Sequence, residues 1–342
     1  MVIHNTRKGI IGDKEIREYT ITNKMGLSVS LMNYGATITS LYTPNKDGEF
    51  HNIVLGFDNL LDYQDHPHHF GGTIGRVAGR INKGKFLLEG KEYQLDQNEN
   101  WNHLHGGKDG FDTVIWDAEI DADNKVVFHY LSKEGENGYP GNLDVYVSYQ
   151  LTDNNDLNIQ YAAKTDKTTL FNPTNHVYFN LNDETDKEVK NHVLKMKSSA
   201  ILETTSELIP TGKFSNVEGT IFDFQEGKFI YERNMDGTPE QAGFDHAFIL
   251  EETTQPQLWL ISPESGREVV MSSDFNCVVV YTGIMFNDTF KVEGIPLRPF
   301  MGVTLEAQNL PDAVNHEQFG NVILEPTKEY QRETSYHFDV KK

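Results

Sequence analysis

The sequence predicts an all-β chain, a large antiparallel β-sandwich with little helix, and three observations predict it. Short alternating or β-branched runs recur along the 342 residues. Turn clusters separate them at short, fairly regular intervals, among them Asn45-Lys-Asp-Gly48, Glu89-Gly90, Asp121-Ala-Asp-Asn124 and Asp153-Asn-Asn-Asp156. That rhythm belongs to an antiparallel sandwich or barrel. No window carries sustained helical periodicity, and Asn59 to Gln64 is the one short helix the pattern allows.

In chain order the predicted strands are Glu18 to Thr22, Leu27 to Met32, Ala36 to Tyr42, Ile53 to Gly56, Phe86 to Leu95, Val114 to Ile120, Val126 to Leu131, Leu143 to Leu151, Leu157 to Ala163 and Val177 to Leu181. The second half adds Val193 to Met196, Phe248 to Leu250, Leu258 to Ile261, Val269 to Ser272, Cys277 to Thr282, Val303 to Leu305 and Ser335 to Val340. With no Pro- or Ser-rich linker, no fixed-period repeat and no low-complexity segment, residues 1–342 read as one domain of two or more stacked sheets.

A formal charge of −21 argues against nucleic acid and anionic membrane surfaces as partners, because both need a basic footprint. The single cysteine, Cys277, sits in an apolar run and reads as a small core residue, and one thiol cannot form an internal disulfide. No stretch approaches ~20 apolar residues and the N-terminus has no apolar signal core, so a soluble cytoplasmic protein is expected.

Candidate chemistry lies where charge interrupts strands. Glu306 falls inside the apolar run that starts at Phe300, and alternation puts Thr304, Glu306 and Gln308 on one face, with Val303, Leu305 and Ala307 on the other. A carboxylate there is exposed or lines a pocket. His176 sits between the turn Asn172-Pro173 and an aromatic strand, and its polar neighbours Asn175, Tyr178 and Asn180 suit a sugar-sized ligand. Asp245 and His246 open another strand. A glutamate, an aspartate and histidines in separate strand contexts are the parts of a proton-transfer site.

Two histidine tracts invite a metal reading. His103 and His105 lie at i, i+2 and would share one strand face, but no glutamate follows at a ligating distance in sequence. His66-Pro-His-His69 is isolated and turn-like. Without a thiolate cluster or a His-Glu-x-x-His helix, no metal is expected. The glycine-dense segment Gly71 to Ile81 lacks P-loop spacing, and its useful content is Arg76 and Arg80, guanidinium groups able to clamp hydroxyls or a carboxylate.

Taken together, Gly75-Arg-Val-Ala-Gly-Arg-Ile81, His103-Leu-His-Gly-Gly107, Asn137-Gly-Tyr-Pro-Gly141, Asn172-Pro-Thr-Asn-His176, Gly243-Phe-Asp-His246 and Thr304-Leu-Glu-Ala-Gln-Asn-Leu-Pro-Asp312 resemble the motif series of the aldose 1-epimerase (galactose mutarotase) family, in order and over nearly the whole chain. The resemblance implies a large β-sandwich with a long curved sheet and a cofactor-free isomerase that interconverts the α- and β-anomers of a hexose such as galactose or glucose. It implies Glu306 as general base and His176 as general acid, with His105, Asp245 and Arg80 binding and orienting the sugar. In that reading Tyr178, Trp101 or Phe300 offers a ring face to the sugar, and Tyr178 is counted with the binding residues. Many members carry Asn where this chain has Gly79, a departure that bears on sugar preference. The partner expected is a small sugar, the assembly a monomer or homodimer. A glycoside hydrolase with a carboxylate pair and a non-catalytic carbohydrate-binding module are the competing readings.

Overall fold

The computed structural model describes residues 2–65, 68–231, 243–251 and 255–341. A nine-stranded antiparallel sheet is its largest element. Its spatial order is Asp117–Ala122, Lys125–Ser132, Leu143–Leu151, Asp156–Thr165, Tyr330–Val340, Arg267–Ser273, Leu258–Ile261, Val193–Met196 and Lys228–Phe229. A six-stranded sheet runs Tyr178–Phe179, Val303–Gln308, Cys277–Tyr281, Asp245–Ile249, Ala200–Thr204 and Pro210–Asn216. The N-terminal strands, from Val2–Ile11 to Phe50–Asn52, form a five-stranded meander.

The period-2 pattern explains how these sheets stack. Leu143–Leu151 and Asp156–Thr165 pair with Val145 opposite Ala163, Val147 opposite Tyr161 and Tyr149 opposite Ile159, and all six side chains point into one core. A one-residue slip would turn every one of them to the other face, so burial fixes the register. The same core takes Val278, Val280, Val303 and Leu305 from the six-stranded sheet and Ile21, Val29 and Leu31 from the meander. Tyr336 of the large sheet donates its hydroxyl to the Leu305 carbonyl at 3.0 Å, a direct tie between the sheets. With Leu305 facing the core, Glu306 must face the other way.

Most predicted strands are present, and Val193–Met196 matches to the residue. The predicted run from Phe86 to Leu95 is a hairpin of Lys85–Leu88 and Lys91–Gln94, turning at Glu89 (φ 51°) and Gly90 (φ 77°), the positive-φ pair of a two-residue turn. The helix is Leu60–Asp65. Three differences stand out, the second and third with a physical cause. Ile53 to Gly56 makes only a bridge, Val54 to Phe179, and the strand precedes it at Phe50–Asn52. Val177 to Leu181 shortens to Tyr178–Phe179, because Asn180 turns its amide onto the Lys187 and Met301 carbonyls. Val2–Ile11 escapes the pattern since most of its residues are exposed and alternate nothing. No helix among the described residues is long and apolar enough to cross a membrane.

Candidate active site

The outer face of the six-stranded sheet floors a cavity of about 680 Å³, with Leu202, Asp245, Ala247, Val279, Tyr281, Glu306 and Gln308 among its lining residues. The register builds this face: Glu306 pairs with Val279, which pairs with Ala247, and Tyr281 pairs with Asp245. Glu306 is 3 % exposed and His176 4 % exposed. His176 Nε2 lies 3.4 Å from Glu306 Oε1, and the Thr304 hydroxyl donates to the same oxygen at 3.3 Å. Glu306 Oε2 is buried with no hydrogen-bond partner among the described residues, a costly state for a carboxylate that serves only as scaffold. Burial, then the Asp245 charge, pushes the Glu306 carboxyl up to about 8, against the smaller pull of Thr304 and Arg80.

The polar residues around His176 are what hold it there. Asn172 donates to the Asn309 carbonyl and accepts from the Asn309 amide, and Thr174 donates to the Ala307 carbonyl. These bonds lace the turn to the end of the Glu306 strand. Asn175 donates to the Gly71 carbonyl, while His176 itself donates its amide to Gly72 and accepts from the amide of Gly71. Gly71 has φ 66°, and a Cβ on it would sit 1.9 Å from the Ile38 carbonyl oxygen, so only glycine fits. Asn175 and Asn180 are therefore scaffold, contrary to the sequence expectation that they meet a ligand. Tyr178 does line the cavity, with its ring against Phe70 and Phe286.

His105 reaches the cavity because its backbone, at φ 51°, leaves the strand His103–Leu104. His103 points the other way, buried between the Tyr139 hydroxyl at 2.7 Å and the Asp96 carbonyl at 2.8 Å, so the two histidines do not share a face as the i, i+2 spacing predicts. The Gly79 amide donates to His105 Nδ1, which leaves the proton of the neutral ring on Nε2. Burial, and then the charges of His69 and His176, hold its pKa well below that of a free histidine. Arg80 is gripped by both oxygens of Glu99 at 2.7 Å, and Asp245 is raised above the usual carboxylate range by burial.

Arg76 is not a ligand clamp. It is 2 % exposed, and its guanidinium donates to Ser132, Pro140, Thr169, Lys133 and Gly141. Of the candidate ring platforms, Trp101 is 71 % exposed and Phe300 packs on Tyr231 beneath the Lys190 amine. Neither is among the described residues that wall the cavity. Sequence reasoning missed Glu99, which sits in an unpatterned polar stretch, and His69, which was set aside within His66-Pro-His-His69. The first two residues of that tract lie outside the described ones. His105, His176 and Glu306 also bring one ligand atom each within 4.8 Å of one another, a donor set a divalent cation could share.

Comparison with known proteins decides the family. The Aldose 1-epimerase family model matches residues 17–337. The chain belongs to the aldose 1-epimerase family. Rat galactose mutarotase is 38 % identical over 321 residues, covering 92 % of each chain. The maltose epimerase of Levilactobacillus brevis is 33 % identical over 347 residues and the full length of both. The crystal structure of an aldose epimerase homologue from C. elegans superimposes with a TM-score of 0.89 at 30 % identity, covering 94 % of this chain and 98 % of that one. Like these enzymes of the family, the chain is an isomerase, and its antiparallel sheets form the mutarotase-like β-sandwich.

Proposed function

We propose that this cavity opens and recloses the ring of an aldohexose, with Glu306 as base and His176 as acid. Glu306 removes the proton from the C1 hydroxyl as its electrons form the carbonyl, the C1–ring oxygen bond breaks, and His176 delivers a proton to that oxygen. The open aldehyde turns about C1–C2. Then the C5 hydroxyl returns its proton to His176 as it attacks the other face of C1, and protonated Glu306 supplies the proton for the new C1 hydroxyl. Each group ends the cycle as it began, so one carboxylate and one imidazole suffice.

The observation that carries this reading is the 3.4 Å pair of nearly inaccessible groups on the floor of a sugar-sized cavity. Arg80, Asp245, His105 and Tyr178 line the same cavity, and in this reading they hold and orient the hydroxyls. Galactose and glucose are the substrates proposed, and maltose, which carries a free hemiacetal, is a further candidate on the strength of the maltose epimerase relative. The chemistry calls on no metal. Polarimetry of freshly dissolved α-galactose tests it: the protein should speed the approach to equilibrium, and a purely binding module would not. Cleavage of p-nitrophenyl glycosides at enzymatic rates would favour the hydrolase reading instead.

A further inference from the structure

Three imidazoles form a triangle at the cavity. The His69 and His105 ring centres are 5.0 Å apart, His69 and His176 5.5 Å, and His105 and His176 5.3 Å. The mechanism above uses two of them. His69 differs from both in being committed to a carboxylate: its Nδ1 lies 2.6 Å from Asp112 Oδ2.

We propose that His69, oriented by Asp112, is a further sugar-binding residue that forms a hydrogen bond through Nε2 with one hydroxyl of the aldose. This rests on the epimerase reading of the site. With Nδ1–H donating to Asp112, Nε2 is the ring atom left to meet a ligand: it accepts from a sugar hydroxyl when the ring is neutral and donates to one when the ring is charged. Burial alone would lower the pKa of His69, but the charge of Asp112 and its hydrogen bond outweigh that and raise it. A charge-assisted donor is roughly twice as strong toward an oxygen acceptor as a neutral one.

The backbone holds this ring in place at a cost. His69 has φ 55°, a region non-glycine residues seldom occupy. Its carbonyl accepts the Gly72 amide, and Gly71 and Gly72 are the residues hydrogen-bonded to the His176 backbone. The His69 turn is thereby registered to His176. Asp112, the partner, sits on the turn Phe111–Thr113, where the Phe111 amide is bound to the Gly75 carbonyl. The His69 side chain keeps 24 % of its surface open against 10 % for Asp112, and it lines the cavity. A staple between two loops would need no open edge, and a partly buried ion pair contributes little to stability by itself.

The test is a coupling experiment. Initial rates of mutarotation are measured for the parent hexose and its 2-, 3-, 4- and 6-deoxy analogues with wild type, His69→Asn and Asp112→Asn, and thermal unfolding is followed for each. Asn tolerates the left-handed backbone, so His69→Asn preserves the turn. The expected result is a loss of about ten- to a hundredfold in kcat/KM on the parent sugar, mostly in KM. One deoxy analogue should show a loss of the same size with wild type and little further loss with His69→Asn. Asp112→Asn should give a smaller loss with the same analogue pattern. Equal losses on all five sugars, or a fall in unfolding temperature with kcat/KM intact, would overturn the assignment. An inactive wild type would count against the epimerase reading instead, so the two failures differ.

Discussion

Glu306 Oε1 and His176 Nε2 face each other at 3.4 Å although 130 residues separate them in sequence. Asn172 and Thr174 create this juxtaposition by binding the backbone of Asn309 and Ala307. An acid and a base that act on one substrate in a single step are not independent, which makes their mutational effects non-additive. Glu306→Gln and His176→Asn should each lower kcat by roughly 10²–10⁴-fold. The double variant should fall little further than the worse single. Polarimetric kcat values for the three proteins check this, and simple multiplication of the two losses would refute shared action.

The pH dependence follows from the environment of Glu306. Burial pushes its carboxyl up to about 8, and in the proposed mechanism only the ionised form can accept the C1 proton. Activity on the free enzyme, read as kcat/KM, should therefore rise with pH through an apparent pKa well above the ordinary carboxylate value of ~4.3. Rates corrected for the uncatalysed reaction between pH 5 and 9 measure it. A profile already flat by pH 5.5 contradicts the raised base.

The same shift has a consequence for stability. The folded carboxyl binds its proton more tightly than an unfolded glutamate at ~4.3, so its contribution is intact below that pH and is lost as the pH rises to about 8. Gln mimics the protonated group at every pH. Glu306→Gln should match wild type near pH 4.5 and exceed its stability at pH 8.5, by on the order of a few kcal/mol. Denaturant midpoints at the two pH values decide it, and a pH-independent difference between the proteins would exclude a buried, strained charge.

The donor set His105, His176 and Glu306, with ligand atoms within 4.8 Å, predicts one inhibitor. Zn²⁺ favours two imidazoles and a carboxylate, so added Zn²⁺ should compete with sugar, while EDTA should leave the rate unchanged because the proposed proton transfers call on no ion. Loss of activity in EDTA that added metal restores would reverse the assignment.

How much of this was written legibly in the chain differs residue by residue. Glu306 stood out because one charge in a β-branched run has few explanations, and the period of two fixed which neighbours share its face. The strand Leu143 to Leu151 was legible through the same alternation, although its pairing partner was not. His69 was not, since its proposed role depends on Asp112, 43 residues away, and no local period connects a turn to a second turn. Asn175 and Asn180 misled because a polar side chain that satisfies a distant carbonyl has the same sequence signature as one that meets a ligand. His105 and His103 were separated by a single positive φ that spacing alone does not reveal.

Arg76 and Arg80 show how far two residues in one loop can diverge, and they give the sharpest contrast to measure. The buried Arg76 donates to four backbone carbonyls and two side-chain hydroxyls, and replacing it by Met strands the carbonyls of Ser132, Lys133, Pro140 and Gly141. Interior groups left without partners cost ~1–3 kcal/mol each before relaxation, so Arg76→Met should lose on the order of 3–5 kcal/mol, comparable to breaking a buried ionic contact. Arg80 instead lies at the cavity wall, held by Glu99. Arg80→Met should leave unfolding within about 1 kcal/mol, as a partly exposed pair implies, and raise KM by roughly tenfold through loss of a charged donor. Denaturation curves and Michaelis plots for both variants separate scaffold from sugar binding, and an unfolding loss for Arg80→Met as large as that for Arg76→Met would remove Arg80 from the site.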